Sequence, residues 1–351
     1  MRPAVSGAGD ITAEFLTSAL AGRLGEAAVT AVAATPVGTG QVSDSYRLRL
    51  TYDGPASLLP TMIAKIPAAD PASRAAARAF RTYEIEASFY DQLAPGLPVA
   101  LATCYYAAHD AGPDDYIVLL EDLAPASPGD QLSGLRGDDA AAAVDELAAL
   151  HAAGWDSPEL AALPWLNRSS ADSAALMTAV LADLYPGFRE RYAARLDPDT
   201  VTLIEDFLPH AGSYLSASAG PRTIVHGDYR ADNLLFGQVR PAVLDWQTCS
   251  FGPAAGDLSY FLGSSLRVPD RRQHEHWLVR RYHRALASGG VRLSWDECWA
   301  GYRRHAFSGI VMDVIAAMVV QQTKRGDKMF AAMANRHARH ALDLDALALI
   351  R

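Results

Sequence analysis

The segment running from Ile224 to Phe236 reads Ile-Val-His-Gly-Asp-Tyr-Arg-Ala-Asp-Asn-Leu-Leu-Phe, an apolar run that delivers a tight polar loop and then resumes. A further apolar run, Ala242-Val243-Leu244, presents Asp245. The carboxylate of Asp228, the amide of Asn233 and the second carboxylate of Asp245 are the parts that phosphoryl transfer to an alcohol requires. A hydroxyl is a poor nucleophile, so a carboxylate at Asp228 would orient it and accept its proton late in the transfer. Asn233 and Asp245 offer hard oxygen donors suited to magnesium, which bridges nucleotide phosphates. Taken singly, Asp and Asn are ordinary turn builders; the specificity lies in the whole string followed by Asp245.

Further positions complete the chemistry. Lys65 sits on the apolar run Met62-Ile63-Ala64-Lys65-Ile66, where an ammonium needs a partner or an edge from which to reach water. In a kinase such a lysine holds the nucleotide phosphates and pairs with a helix glutamate. Glu84 and Glu86 are the available partners; they cannot share a helix face, and Glu86 is preferred. Gly38-Thr39-Gly40-Gln41-Val42-Ser43 lies between two strand patterns, and Gly38 and Gly40 would let backbone N–H groups approach phosphate oxygens, with Ser43 adding a hydroxyl. It is not a Walker A loop, since no Gly-Lys-Ser/Thr occurs. Glu121 and Leu123, in the stretch from Leu119 to Leu123, stand where backbone groups would meet a purine base. His226 reads as a loop-organising residue rather than a base. Asp257 opens a helix and is expected to bond back to the loop backbone. Tyr229, Arg230, Gln247 and Asp313 are the candidate substrate contacts. Asp313 draws notice as an acid amid apolar residues, which needs a partner or a ligand.

The elements that must position these groups follow from periodicity. Strands are expected over 29–37, 46–50, 61–67, 102–108 and 116–120, with helices over 10–24 and 71–93. After a loop rich in Pro, Gly and Ser, helices are expected over 138–153, 169–196, 199–218, 271–288, 294–323 and 328–349. The fold class is therefore α+β: a five-stranded antiparallel sheet lobe (1–122), a hinge and linker (123–137) and a larger, mainly helical lobe (138–351). The arginines between Arg267 and Arg284 and the pair His337 and His340 read as solvated helix faces.

Composition narrows the rest. The formal charge of −9 argues against a nucleic-acid or anionic-membrane partner. Cys104, Cys249 and Cys298 are far apart, which fits neither a disulfide framework nor a zinc site. The apolar stretch from Ile310 to Val320 is too short to span a bilayer, and no signal-peptide pattern opens the chain, so a cytoplasmic location is expected.

These motifs resemble the aminoglycoside phosphotransferase and choline kinase-like superfamily, and in particular its ecdysteroid-kinase-like relatives. The matching residues are Gly38-Thr39-Gly40, Ala64-Lys65, Glu86-Ala87-Ser88-Phe89-Tyr90, Leu120-Glu121-Asp122-Leu123, Leu150-His151, the loop His226 to Asn233, Leu244-Asp245-Trp246-Gln247, Gly252-Pro253 and Gly256-Asp257-Leu258. The resemblance implies a protein-kinase-like fold, ATP or GTP with Mg2+, and phosphorylation of a small-molecule hydroxyl by a monomer or homodimer. It places the catalytic aspartate on Asp228, the metal ligands on Asn233 and Asp245, and the phosphate lysine on Lys65. Gln247 departs from the pattern, standing where many aminoglycoside kinases carry an acidic residue. Protein-kinase activity is disfavoured, because no Asp-Phe-Gly occurs and no long activation segment separates Asp245 from Asp257. Residues 126–351 carry 26 acidic and 23 basic side chains, against 14 and 8 in the first 125, so the acid excess lies away from the lobe expected to hold a polycationic acceptor. A neutral or weakly charged acceptor is expected, an antibiotic or another hydroxylated metabolite. The competing readings are a non-catalytic nucleotide- or ligand-binding protein on a degenerate kinase fold, and a metal-dependent hydrolase using His226 and Asp228.

Overall fold

Five strands pair antiparallel in the order β1-β2-β3-β5-β4, where β1 is Val29–Pro36, β2 Ser43–Tyr52, β3 Thr61–Pro67, β4 Cys104–Asp110 and β5 Asp115–Glu121. The computed structural model describes residues 2–38, 42–54, 60–112, 114–168, 170–216 and 220–351. Side chains alternate across a strand, and β3 uses both faces. Met62, Ala64 and Ile66 join Leu48, Leu50, Ile117 and Leu119 in an apolar cluster closed by Leu16 and Leu20. Lys65 points to the opposite face. Its strand is the central one, with Ser45 of β2 and Val118 of β5 as cross-strand neighbours, so an edge-strand lysine reaching water is ruled out.

The chain divides into two units. The first comprises Met1–Leu97, Leu101–Pro125 and Asp245–Thr248; the second comprises Pro98–Ala100, Ala126–Leu244 and Cys249–Arg351. The sheet belongs to the first. The late segment Asp245–Thr248 joins that unit through Trp246, fully buried and stacked on Phe89 with ring centroids 3.9 Å apart. The second unit is mainly helical. Two small antiparallel sheets interrupt it, one pairing Arg222–Val225 with Ser250–Pro253, the other joining Ser127–Pro128, Leu234–Phe236 and Ala242–Val243. The polar loop is thus held at both ends by strands. No helix among the described residues is long and apolar enough to cross a membrane.

Several expected helices are broken, each for a local reason. The segment expected as one helix over 71–93 splits at Arg81, whose backbone is left-handed with φ 58°. The break lets Thr82–Ser88 bury Tyr83, Ile85 and Glu86, while Pro71–Phe80 buries only Ser73 and Ala77. The segment 199–218 breaks at a 3-10 turn, Leu208–His210, where Pro209 lacks a donor. Another such turn, His305–Phe307, divides 294–323. The helix expected over 10–24 is also divided: Thr12 caps Ala13–Ala19 by accepting from the Phe15 N–H, and a second short helix, Ala21–Leu24, follows Leu20.

The expectation of solvated histidines is corrected as well, and Arg271 departs from that of solvated arginines, while Arg267, Arg272 and Arg284 are exposed. His337 and His340 are fully buried, and Arg271 is 1% exposed, paired with Glu275 and Asp343. His337 and His340, in the last long helix, Lys324–Asp343, face its neighbours rather than water. Burial pushes the His340 imidazole down to about 4, against the pull of Glu275 3.2 Å away. Glu275 lies low, at about 2: burial opposes its charge, but His340, Arg271 and the Tyr302 hydroxyl outweigh it. With a folded-state pKa below the ordinary 6.5, His340 takes its proton more readily in the unfolded chain. Its contribution is therefore complete above that value and is lost as pH falls through about 4. His340→Gln should flatten the fall of Tm between pH 7 and 4, removing a pH-dependent contribution on the order of 3 kcal/mol. A variant whose Tm falls as steeply as the parent's would exclude this residue as the source.

Candidate active site

Lys65 is buried, and an unpaired buried ammonium would be costly. Its Nζ donates to Glu86 Oε1 at 2.5 Å and to Asp245 Oδ1 at 2.7 Å. Burial works against the charge, but Asp245 and Glu86 outweigh it and raise the pKa well above the usual lysine range. Glu86 is itself held on its other oxygen by the Tyr116 hydroxyl at 2.6 Å. Glu84, the alternative partner, pairs instead with Arg81. Tyr116 stacks on Tyr83, whose hydroxyl donates to Val42 O, just before Ser43. One chain of contacts therefore runs from the glycine loop to the helix that carries Glu86.

Asp245 adopts φ 67°, a left-handed backbone rarely taken by residues other than glycine, asparagine and aspartate. Such local strain persists only where the surroundings fix it. Here the stacked Trp246 anchors one side, Lys65 takes Oδ1, and Gln247 Nε2 donates to Oδ2 at 3.1 Å. Gly38 also has positive φ, at 74°, and Ser43 opens β2 as a buried residue opposite Pro67. Gly40 lies outside the described residues. Glu121 closes β5, with its N–H bonded to Thr103 O and its carboxylate accepting from Thr103, and Leu123 follows half-buried.

In the second unit the polar loop is organised from behind. Asp257, near the start of the helix Ala254–Ser265, accepts from the N–H groups of His226 at 2.6 Å and Gly227 at 2.9 Å. His151 lies 3.4 Å away, its other ring nitrogen bonded to the Tyr282 hydroxyl. Burial pushes the Asp257 pKa up, but His151 and the loop N–H of His226 outweigh it and hold it low. Gly227 has φ 82°, which favours glycine at this turn. His226 bridges the loop internally: Nδ1 accepts from Asp228 N–H and Nε2 donates to Leu244 O.

Asp228 emerges with a side chain 18% exposed. Oδ1 accepts from the Tyr260 hydroxyl at 2.7 Å, Oδ2 accepts from Asn233 Nδ2 at 2.9 Å, and Arg230 Nε lies 3.0 Å from each oxygen. Asn233 Nδ2 also donates to Asp228 O. With its amide nitrogen committed there, Asn233 retains a carbonyl oxygen as an acceptor. Arg230 lies between Asp228 and Asp232; burial opposes its charge, but these carboxylates hold the guanidinium firmly protonated. Asp232 in turn is bound by Arg325.

Two expected substrate contacts are turned away. Tyr229 is 1% exposed and donates to Ala143 O from within the core, its ring packed against Phe261 and His226. Asp313 is fully buried and paired with His337 at 2.7 Å. Sequence reasoning missed the Tyr260 hydroxyl on Asp228. One signal for it existed: Tyr260 stands three residues after Asp257, on the same helix face. Among the described residues no cluster of three or more His, Cys, Asp or Glu is arranged to hold a metal ion.

Solved proteins share this architecture. A choline kinase from Cryptosporidium parvum Iowa II superposes with a TM-score of 0.55 at 10% identity, over 90% of this chain and 89% of that one. A macrolide 2'-phosphotransferase from Brachybacterium faecium gives 0.51 at 19% identity, over 86% and 91%. These likenesses establish a protein-kinase-like fold. Within it, the chain belongs to the ecdysteroid kinase-like family, whose pattern matches residues 38–293. An N-acetylmuramate/N-acetylglucosamine kinase from Pseudomonas putida is 32% identical over 74 residues, which are 21% of this chain and 22% of that protein. The chain thus matches about a fifth of that relative's length.

Asp257→Ala would strip two buried N–H groups of their acceptor. It should lower unfolding free energy by about 3 kcal/mol, measured by urea denaturation. A loss under about 0.5 kcal/mol would mean that the loop is anchored elsewhere.

Proposed function

We propose that this protein transfers the γ-phosphoryl group of ATP or GTP to the hydroxyl of a small, neutral or weakly charged metabolite or antibiotic, with Mg2+. The observation that carries this reading is the buried Lys65, held between Glu86 and Asp245. An ammonium fixed in this way is ready to meet nucleotide phosphates without first having to be ordered.

In this reading the hydroxyl oxygen of the acceptor bonds to the γ-phosphorus. The bond from that phosphorus to the bridging oxygen breaks, its electron pair leaving with the nucleoside diphosphate. The hydroxyl proton passes to Asp228 and then to solvent. The hydroxyl is received at this carboxylate, whose Oδ1 meets Tyr260 and Arg230 and whose Oδ2 meets Asn233 and Arg230. Asn233 and Asp245 fit magnesium by donor chemistry, as an amide carbonyl whose nitrogen is tied back and a carboxylate. Magnesium held there would neutralise phosphate charge during transfer. Arg230 holds Asp228 in place through an ion pair. Gln247 donates to Asp245 Oδ2 and so helps to orient that carboxylate.

Asp228→Ala should reduce nucleotide-dependent phosphorylation by roughly 10²- to 10⁴-fold while leaving the Tm and the Mg-nucleotide thermal shift near those of the parent. Acceptors are found with a panel of hydroxylated antibiotics, sugars, amino alcohols and sterols, scored by mass for an added phosphate. Undiminished phosphorylation by the variant would remove Asp228 from the reaction. A parent protein with no Mg-nucleotide thermal shift would return the chain to a non-catalytic binding role.

A further inference from the structure

The carboxylate of Asp228 is held on both oxygens. Asn233 Nδ2 bonds to Oδ2, and Arg230 Nε lies 3.0 Å from each oxygen, so neither donor of the loop is directed at Oδ1 alone. The torsion about Cβ–Cγ is otherwise broad. The Tyr260 hydroxyl, 2.7 Å from Oδ1, is the shortest of these contacts and, set against the Asn233 bond to Oδ2, fixes the carboxylate plane. The phenol is buried, and burial followed by the Asp228 charge pushes its pKa well above the usual tyrosine value, so it stays protonated and donates.

Tyr260 is immobilised in turn. The His337 ring stacks on it at 5.3 Å, 25° from parallel, and His337 Nε2 meets Tyr260 O at 3.2 Å. A carbonyl only accepts, so Nε2 carries a hydrogen. Nδ1 shares a second proton with Asp313 Oδ2 at 2.7 Å. The pair therefore holds two protons and no net charge, whichever group formally keeps the shared one. That suits its full burial and the Asp313 Oδ1, which finds no donor among the described residues. Two glycines make room for the ring. A Cβ at Gly309 would lie 2.2 Å from His337 Nε2, and one at Gly263 would lie 2.7 Å from Cδ2.

We propose that Tyr260 is a positioning residue for phosphoryl transfer: its hydroxyl fixes the orientation of the Asp228 carboxylate, and the buried His337–Asp313 pair fixes Tyr260. The proposal rests on the reading of Asp228 as the proton acceptor. Water can stand in for the unidentified alcohol, so the test uses hydrolysis of Mg-ATP without added acceptor. Tyr260→Phe should lower kcat by roughly 10- to 100-fold with KM for ATP changed by less than about twofold. The double variant with Asp228→Asn should fall no lower than Asp228→Asn alone, because the two groups act as one unit. If Asp228→Asn is inactive while Tyr260→Phe keeps the parental kcat, or if the two losses multiply, Tyr260 has no positioning role and the reading of Asp228 stands. If Asp228→Asn retains the parental rate, the reading of Asp228 itself fails. A readout independent of turnover is the 13Cζ resonance of labelled tyrosine, with Tyr260 assigned by its loss in Tyr260→Phe. It should move in Asp228→Asn, and an unmoved resonance would overturn the contact.

Discussion

An ammonium buried in protein must be neutralised by groups that arrive from elsewhere in the chain. Lys65 sets that requirement for the whole first unit. Its place on the central strand of the sheet fixes which face it occupies. One carboxylate then has to come from a helix packed on that face, and the helix is broken at Arg81 so that Glu86 can turn inward. The other has to come from Asp245, which accepts an uncommon backbone conformation to deliver it. Tyr116, Tyr83, Phe89 and Trp246 are large side chains that hold these carboxylates in place. Apolar packing and charge pairing thus serve one geometry.

The second unit solves a different problem, the exposure of one carboxylate without loss of its orientation. Asp257 satisfies the loop N–H groups from below, His226 ties the loop to Leu244, and Asn233, Arg230 and Tyr260 act on Asp228 directly. Apart from the 3-10 turn Ala231–Asn233 the loop carries no helix or strand, so much of its stiffness comes from these side-chain bonds. Hydrogen bonds to a charged group are about twice as strong as neutral ones, which makes such a cradle effective around a carboxylate.

Much of this was legible in the sequence, because strands and polar loops announce themselves locally. The alternation around Leu48 and the apolar run around Lys65 gave the sheet, and the spacing from Asp228 to Asn233 gave the loop. What was not legible depends on contacts between distant positions. His337 and His340 sit among arginines, and only the packing of a helix more than seventy residues from Tyr260 shows that they are buried. Tyr229 stands next to Asp228 in sequence, yet neighbouring residues in a tight turn point in opposite directions, and the ring goes to the core. Helix breaks at Arg81 and His305 leave no clear mark either, since neither residue is a proline or a glycine.

One consequence concerns how this chain could be divided. The segment Asp245–Thr248 belongs to the first unit, while the residues on either side of it, Leu244 and Cys249, belong to the second. A fragment ending at Pro125 would contain the entire five-stranded sheet and still lack one of the two carboxylates that neutralise Lys65. The sheet unit is therefore not a transferable module. Gene fusions or truncations that treat it as one would carry a half-compensated buried charge, and the chain must be inherited whole for the lysine to remain where it is.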